Sequence, residues 1–256
     1  MKLTVLGSGT SHGVPMIGCD CAVCTSGKPK NTRNRSSILV TADNGANLLI
    51  DTPPEMRIAF LQNNVRRLDA ILYTHAHADH IFGLDDVRTF NYKSGLPMPL
   101  YAEPNVQDDI RRIYEYIFKV TQAGGGKPQV EIHTVTPGEP LMIVGQSVLP
   151  LRVFHGKLPI VAYKFGPKFA YVTDVSRIPS ETWPHLLGLE LLMLDATRRE
   201  PHPTHFHFES ALEIIAQLKP KRTLLTHLAH DYDYDATNAE LPPGVELAYD
   251  TQVIEF

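Results

Sequence analysis

Three histidines and an aspartate fall within six residues, in the run His75-Ala76-His77-Ala78-Asp79-His80. The apolar residues 70–73 come just before it and predict a short buried strand, so the polar side chains lie in the loop that follows. Neutral imidazoles and ionised carboxylates both donate lone pairs to divalent cations. The spacing therefore predicts a metal site, and a solvated His-rich loop is the alternative.

Three later residues of the same chemical kind also come directly after apolar runs: His155, Asp174 and His227. The ends of strands on one side of a sheet assembly can converge on a single cleft. Any one of these residues alone is most simply explained as structural. Their repeated placement favours a shared site.

The cysteines form a separate cluster, because Cys19, Cys21 and Cys24 lie within six residues. Zinc in a closed site takes four ligands, and thiolates are among those it prefers. Three cysteines cannot all pair within one chain, which indicates a reducing compartment, and we expect a cytoplasmic protein. Three reduced thiols without a metal are the alternative.

Short strands alternate with helices along the chain, which predicts two sheets packed face to face with helices outside. We expect one domain, residues 1–256. A glycine-rich stretch, 122–128, is predicted to be a surface connector or a flap near the site. The predicted strands are 2–6, 37–41, 47–51, 70–73, 100–102, 147–154, 160–165, 169–173, 189–194, 223–226, 245–248 and 253–256, and the predicted helices are 54–62, 81–91, 105–119, 180–187 and 208–218.

Composition narrows the class of partner. The 256 residues are 43% hydrophobic and 20% charged, which is enough to bury a large core. A net charge of -4 and a pI near 6.3 argue against a stable nucleic-acid complex held mainly by phosphate contacts. We expect no membrane partner, since no long apolar segment occurs. The basic residues Lys28, Lys30, Arg33 and Arg35 are predicted to form a solvated face.

Taken together, the motifs resemble those of metallo-β-lactamase-fold hydrolases. The opening Gly7-Ser8-Gly9-Thr10, the Gly13-Val14-Pro15 turn, the cysteine run and Leu225-Thr226-His227-Leu228-Ala229-His230 resemble the PhnP-type phosphoribosyl cyclic phosphodiesterases of bacterial phosphonate breakdown. The resemblance implies an α/β fold, an αββα four-layer sandwich, with two divalent catalytic metal ions at the strand ends. Manganese and zinc both accept such mixed ligands.

The resemblance also implies which side chains hold the ions. One ion would be held by His75, His77 and His155, and the other by Asp79, His80 and His227, with Asp174 as the bridge. A structural zinc would be held by Cys19, Cys21, Cys24 and His230, where His12 is a weaker candidate for the fourth ligand.

For proton transfer to the leaving oxygen, His205 aligns with the family histidine. Asp195 is predicted to orient it, and Asp79 completes the expected catalytic set. His202 and His207 flank His205, and either is an alternative donor.

The predicted reaction is hydrolysis of a small cyclic phosphate ester, similar to phosphoribosyl 1,2-cyclic phosphate, by a water that the two ions activate. Arg88 is predicted either to place the anionic substrate or to form a surface salt bridge. RNA 3′-processing, thioester hydrolysis and a non-catalytic carrier role, as in pyrroloquinoline quinone biosynthesis, are the alternatives. The resemblance also suggests a homodimer.

Overall fold

The computed structural model describes residues 1–120 and 126–256, and its strands form two seven-stranded sheets. The first sheet has the order β14-β1-β2-β3-β4-β5-β6, and the second has the order β13-β12-β11-β10-β9-β8-β7. The strands are β1 Lys2–Gly7, β2 Ser37–Thr41, β3 Asn47–Ile50, β4 Ala70–Leu72, β5 Met98–Ala102, β6 Val130–Thr134, β7 Leu141–Ile143, β8 Gln146–His155, β9 Leu158–Phe165, β10 Phe169–Val172, β11 Leu191–Asp195, β12 Arg222–Thr226, β13 Val245–Leu247 and β14 Val253–Glu255.

Both sheets are mixed, and they follow the same plan. Strands β3 to β6 pair in parallel, as do β10 to β13, whereas the remaining neighbours in each sheet are antiparallel. Because parallel strands end at the same edge, the residues that follow them are brought together along that edge.

Helices cover the outer face of each sheet. They are α1 Met56–Gln62, α2 Ala78–Ile81, α3 Arg88–Ser94, α4 Pro104–Ile113, α5 Glu115–Phe118, α6 Trp183–Leu186, α7 Phe208–Leu218 and α8 Tyr234–Glu240, with 3-10 turns at Pro29–Asn31 and Leu84–Val87. The αββα fold predicted from the sequence is therefore confirmed.

Three apolar clusters fill the three spaces between these layers. Within β4, Ala70 and Leu72 face the other sheet, whereas Ile71 faces the helices. In β10, Phe169 and Tyr171 likewise face the first sheet, and Ala170 and Val172 pack against the outer helices. Strands that are buried on both faces need apolar residues at every position, which explains their uninterrupted hydrophobic runs.

Three of the predicted helices are wrong in extent, and the one predicted at 180–187 is only the four-residue α6. The segment predicted as one helix at 81–91 is α2, a 3-10 turn and α3, and α2 already begins inside the histidine motif at Ala78. The segment 105–119 divides into α4 and α5 at Tyr114, whose buried hydroxyl donates to the carbonyl of Ile81 at 2.7 Å.

The basic face predicted from the sequence is also corrected, because Arg33 is only 1% exposed. Its guanidinium donates to the carbonyls of Ala229 and Tyr232 at 3.1 and 2.7 Å. Arg35 pairs with Glu55, and Lys28 pairs with Asp233. Most of the glycine-rich stretch 122–128 lies outside the described residues, so neither interpretation of it is tested. No helix in the described ranges combines the length and apolar character that crossing a membrane requires.

Candidate metal centre

The polar residues predicted to share a site follow strands of both sheets. Asp51 follows β3, His75 follows β4, and His155 ends β8, while Asp174, Asp195 and His227 lie at the ends of β10, β11 and β12. Asp51, Asp174 and His227 have left-handed backbones, with φ of 63°, 57° and 59°. Residues other than glycine rarely adopt this conformation, and it is concentrated at functional sites.

One group of candidate ligands comprises Asp79, His80, Asp174 and His227. Their ligand atoms all lie within 4.8 Å of one another, and all four residues are buried. The Nε2 atom of His227 is 3.1 Å from Asp174 Oδ1, and Nε2 of His80 is 3.4 Å from Asp174 Oδ2. A single carboxylate thus faces two imidazoles at once.

The second group consists of His75, His77 and His155. The ring of His77 lies 4.5 Å from that of His75 and 5.2 Å from that of His155, measured between centroids. The His75 ring is also 4.1 Å from that of His80, so the two groups adjoin. His75 is buried, whereas His77 faces solvent.

Four of these imidazoles are oriented through their Nδ1 atoms, each of which has a partner at 2.8–3.0 Å. The pairs are His75 with Thr74 Oγ1, His80 with Asp51 Oδ2, His155 with the carbonyl of Thr204, and His227 with Thr197 Oγ1. Metal-binding histidines commonly use one ring nitrogen in this way and present the other to the ion.

The remaining nitrogens fit a cation. Among the described residues, the buried Nε2 atoms of His75, His80 and His227 have no hydrogen-bond partner. Burial by itself would lower the pKa of His80, but Asp174, Asp79 and Asp51 raise it well above its ordinary value. Burial, together with His80 and His77, lowers the pKa of His75. The mixed nitrogen and oxygen donors and the local negative charge are suited to a divalent ion such as zinc or manganese.

His205 lies beside this site and is oriented by Asp195. Its Nδ1 is 2.8 Å from Asp195 Oδ2, and its ring centroid is 4.5 Å from that of His155 and 4.8 Å from that of His227. Asp195 also accepts a hydrogen bond from the hydroxyl of Thr197, which contacts His227. One fully buried carboxylate therefore positions both a candidate ligand and the candidate proton donor.

The alternative donors are placed differently. His207 caps the N-terminus of α7, where its Nδ1 contacts Ser210 Oγ at 2.9 Å. His202 lies next to His205, with ring centroids 4.8 Å apart, and its Nδ1 accepts from the backbone N–H of Thr204. Arg88 forms a salt bridge with Asp85 at 3.0 Å, in agreement with the surface alternative.

The cysteines form a second candidate metal site with His230. The ligand atoms of Cys19, Cys21, Cys24 and His230 all lie within 4.8 Å of one another. Nδ1 of His230 is 3.2 Å from the sulfur of Cys19 and 3.3 Å from that of Cys21. The Cys24 backbone N–H and the His230 side chain lower the pKa of Cys21 to about 6, whereas burial raises that of Cys24 to about 11. His12 lies outside this group and lines a cavity that His205 and His230 also line.

Sequence reasoning missed two residues that orient the site, Asp51 and Thr197. Asp51 accepts from the backbone and the hydroxyl of Thr74 at 2.9 and 2.8 Å, as well as contacting His80. It comes directly after a strand, as Asp174 and His227 do, so the same placement could have identified it. Thr197 has no comparable signal in the sequence.

Residues 46–228 match the profile of the beta-lactamase superfamily domain. The crystal structure of a new diphosphatase from the PhnP family superposes with a TM-score of 0.92 and 44% identity, covering 100% of this chain and 97% of that chain. The chain belongs to the PhnP family of the metallo-β-lactamase fold.

Other proteins similar to this PhnP-family chain are more distant or larger. An octanoyltransferase of Porphyromonas gingivalis is 39% identical over 252 residues, which cover 98% of the chain and 50% of that relative. The chain thus spans about half of that protein's length. Coenzyme PQQ synthesis protein B of Methylorubrum populi is 27% identical over 225 residues, 77% of the chain and 73% of that protein. Zinc-bound PqqB from Methylobacterium extorquens shares the fold, with a TM-score of 0.79, 22% identity and full coverage of both chains.

Proposed function

We propose that the protein is a metal-dependent phosphodiesterase that hydrolyses a small cyclic phosphate ester. The observation that carries this proposal is the placement of Asp174 between the two groups of histidines. Its carboxylate faces His80 and His227 at 3.4 and 3.1 Å and also lies within 4.8 Å of the ligand atoms of His155 and His205. A central carboxylate of this kind can bridge two cations and offset their mutual repulsion.

The candidate ligands would hold the two ions as the family resemblance implies, with Asp174 between them. When bound, such ions lower the pKa of water and neutralise charge on the phosphoryl oxygens. The chain's own residues then have to supply a proton to the oxygen that leaves phosphorus.

His205 is suited to that proton transfer. Its Nδ1–H donates to Asp195, so its Nε2 is free to carry a proton toward the leaving oxygen. Asp195 offsets the positive charge of the imidazolium and fixes the orientation of the ring. Hydrolysis of a cyclic ester opens its ring. The leaving oxygen and the phosphate group therefore stay on one product, a phosphate monoester.

A second candidate is hydrolysis of a phosphoric anhydride, which the name of the 44% identical diphosphatase favours. The same residues serve both reactions, since each displaces an oxygen from phosphorus. The two differ in the leaving group, which is an alkoxide in a cyclic ester and a phosphate in a diphosphate.

A hydrolysis screen tests the proposal. The substrates are ribose 1,2-cyclic phosphate, a 2′,3′-cyclic nucleotide, bis(p-nitrophenyl) phosphate, a nucleoside diphosphate sugar, lactoylglutathione and a tRNA precursor. We expect the cyclic phosphates to be cleaved fastest by protein loaded with manganese or zinc. Preferred cleavage of the thioester, the tRNA or the diphosphate would contradict the proposal.

Metal analysis separates a hydrolase from a carrier protein. The proposed hydrolase holds three ions per chain, two at the histidine groups and one zinc at the cysteine cluster. A carrier needs only the zinc at the cysteines. A single tightly held ion after loading with excess metal would therefore favour the carrier.

A further inference from the structure

A narrow groove lies between α1 and α3, two of the helices that cover the outer face of the first sheet. Its volume is about 200 Å³, and none of the described residues that line it belongs to either candidate metal site. The floor is made by Met56 and Phe60 of α1 and by Phe90 of α3. The groove is therefore separate from the edge of the sheets that carries the candidate ligands.

The lining of the groove is apolar and well packed. The rings of Phe60 and Phe90 meet edge to face, with centroids 5.7 Å apart and planes at 72°. Val65 lies half-buried in the lining, and its N–H donates to the carbonyl of Phe60 at 2.9 Å, so the chain turns back on α1 where the helix ends. Leu61 also lines the groove and is 62% exposed. A concave apolar surface that the fold already holds in shape can bind alkyl groups without further ordering of the protein.

Positive charge surrounds this apolar lining. Arg57, Arg66 and Lys93 line the groove, and Asp86 is the acidic residue of its described lining. Three cations and one carboxylate leave an excess of two positive charges, although the chain as a whole has a net charge of -4. Arg66 is held through its Nε by Asn64 Oδ1 at 2.7 Å, and within the described part of the chain none of the three cations forms a salt bridge. The groove therefore attracts an anion.

The dimensions of the groove select its occupant. Helices α1 and α3 have seven residues each, so the walls are about 10 Å long. A helix of a partner protein is itself about 10–12 Å wide with its side chains and is too large for a volume of about 200 Å³. A single unbranched alkyl chain is small enough. The carboxylate at the end of such a chain is a bidentate partner for a guanidinium group.

We propose that this groove binds a medium-chain carboxylate. The alkyl chain covers the rings of Phe60 and Phe90, and the carboxylate lies among Arg57, Arg66 and Lys93. This inference is independent of the proposed function, because no residue of the candidate metal centre takes part in it.

Titration of the zinc-loaded protein with acetate, pentanoate, heptanoate and nonanoate, followed by NMR, tests the proposal. We expect the methyl signals of Leu61 and Val65 to shift, and the dissociation constant to fall about two- to fourfold for each added methylene until the groove is full. Acetate identifies binding at the ions, since it has the carboxylate without the chain. Heptanoate should bind about tenfold or more tightly than 1-heptanol, as for one charge-assisted contact.

Variants separate the charge from the apolar groove. Replacing both arginines, by Arg57→Gln and Arg66→Gln, should reduce the preference for heptanoate over 1-heptanol to less than threefold. Thr89→Trp, at an exposed position of the lining, places an indole in the groove and should weaken binding of both compounds at least about tenfold. Arg67→Gln is the matched control, because Arg67 is next to Arg66 but pairs with Asp69 at 2.7 Å. It should bind heptanoate as the wild type does.

Four results would overturn the proposal. They are affinities that do not depend on chain length, shifts confined to the candidate metal ligands, a preference for heptanoate that survives the loss of both arginines, and wild-type binding by Thr89→Trp. If the signals of Leu61 and Val65 instead change on dilution of the protein, a second copy of the chain covers the groove. If phosphatidylglycerol vesicles bind the wild type and heptanoate does not, the surface contacts a membrane. Either outcome would also refute a site for a free carboxylate.

Discussion

At the scale of single residues, Asp195 connects the two halves of the proposed reaction. Its Oδ2 contacts His205 and accepts from the backbone of Val175 at 2.9 Å, and its Oδ1 accepts from Thr197, which in turn contacts His227. Three of these contacts use a carboxylate oxygen of Asp195 as the acceptor. The fourth, between Thr197 and His227, depends on one of them. An amide at this position can supply an acceptor on one side only.

Asp195→Asn should therefore reduce activity by about 10- to 100-fold, mainly through kcat. The amide leaves either the ring of His205 or the hydroxyl of Thr197 without its acceptor. Steady-state kinetics and elemental analysis of the same preparations measure this effect. The exposed Asp108→Asn is the matched control and should behave as the wild type. A variant with wild-type kcat would show that Asp195 has only a structural role.

Replacing His205 tests whether this residue is a proton donor or itself a metal ligand. Its candidate ligand atom lies within 4.8 Å of those of His155 and Asp174. As a donor, it predicts that His205→Ala loses about 10²- to 10⁴-fold in kcat and keeps all its ions. His207→Ala should keep most activity and lose about 1 kcal/mol of stability, since a helix cap is removed. Loss of one ion in His205→Ala would make His205 a ligand.

At the scale of elements, strand ends determine how much of the site the sequence could predict. A short apolar run followed by His or Asp identified His75, Asp174 and His227, because the run itself signals the strand. The apolar pattern could not reveal that β3 lies beside β4. The sequence therefore placed Asp51 at a strand end without connecting it to His80. The contact of Asp195 with His205 was expected, whereas its contact with Thr197 depends on loop conformation, which hydrophobic periodicity does not encode.

Some helix boundaries and two of the four edge strands were not predicted, whereas the edge strands β13 and β14 were. The motif around Asp79 was predicted to be a loop, but α2 begins there at Ala78. The strands β6 and β7 were missed because they lie at sheet edges and carry few fully buried residues. Edge strands need less apolar sequence than central ones, so their pattern is weaker.

The role of the loop that carries Cys19, Cys21 and Cys24 can be tested by measuring the metal content of variants. It contacts His230, which lies three residues after His227, so the predicted zinc would join two loops around the site. Cys19→Ser should lose one zinc per chain, retain the two other ions and lower the melting temperature by at least about 5 °C. Elemental analysis and calorimetry measure both changes.

His230→Ala should have the same effect on zinc content as Cys19→Ser, because it removes another ligand of the same proposed ion. If both variants keep the full metal content, the cysteines are reduced thiols without a metal. If they lose all three ions, the two sites are coupled and the zinc is not a separate structural ion.

At the scale of the whole molecule, the ends of the chain are joined through Asp250. Its Oδ1 accepts from the backbone and the hydroxyl of Ser8 at 2.9 and 2.8 Å, and its Oδ2 accepts from the backbone of Asn34 at 2.7 Å. Ser8 in turn accepts from Leu228, the residue after His227. A carboxyl near the C-terminus thus supports the loop next to a candidate metal ligand.

Burial raises the pKa of Asp250 from 3.8 to about 7. Between these values the folded protein binds a proton that the unfolded chain has released, so the contribution of Asp250 to stability falls as pH rises and is flat above about 8. From pH 5.5 to 8 the wild type should lose about 2 kcal/mol of unfolding free energy relative to Asp250→Asn, since the loss is 1.36 kcal/mol per unit well below pH 7 and levels off above it. Urea denaturation of both proteins at each pH measures the difference, in which the other titrating groups cancel.

Asp250→Asn should be less stable than the wild type at pH 5.5, because its amide faces the N–H of Asn34 or Ser8. A difference that stays constant from pH 5.5 to 8 would mean that Asp250 is already ionised throughout, with its three donors outweighing its burial.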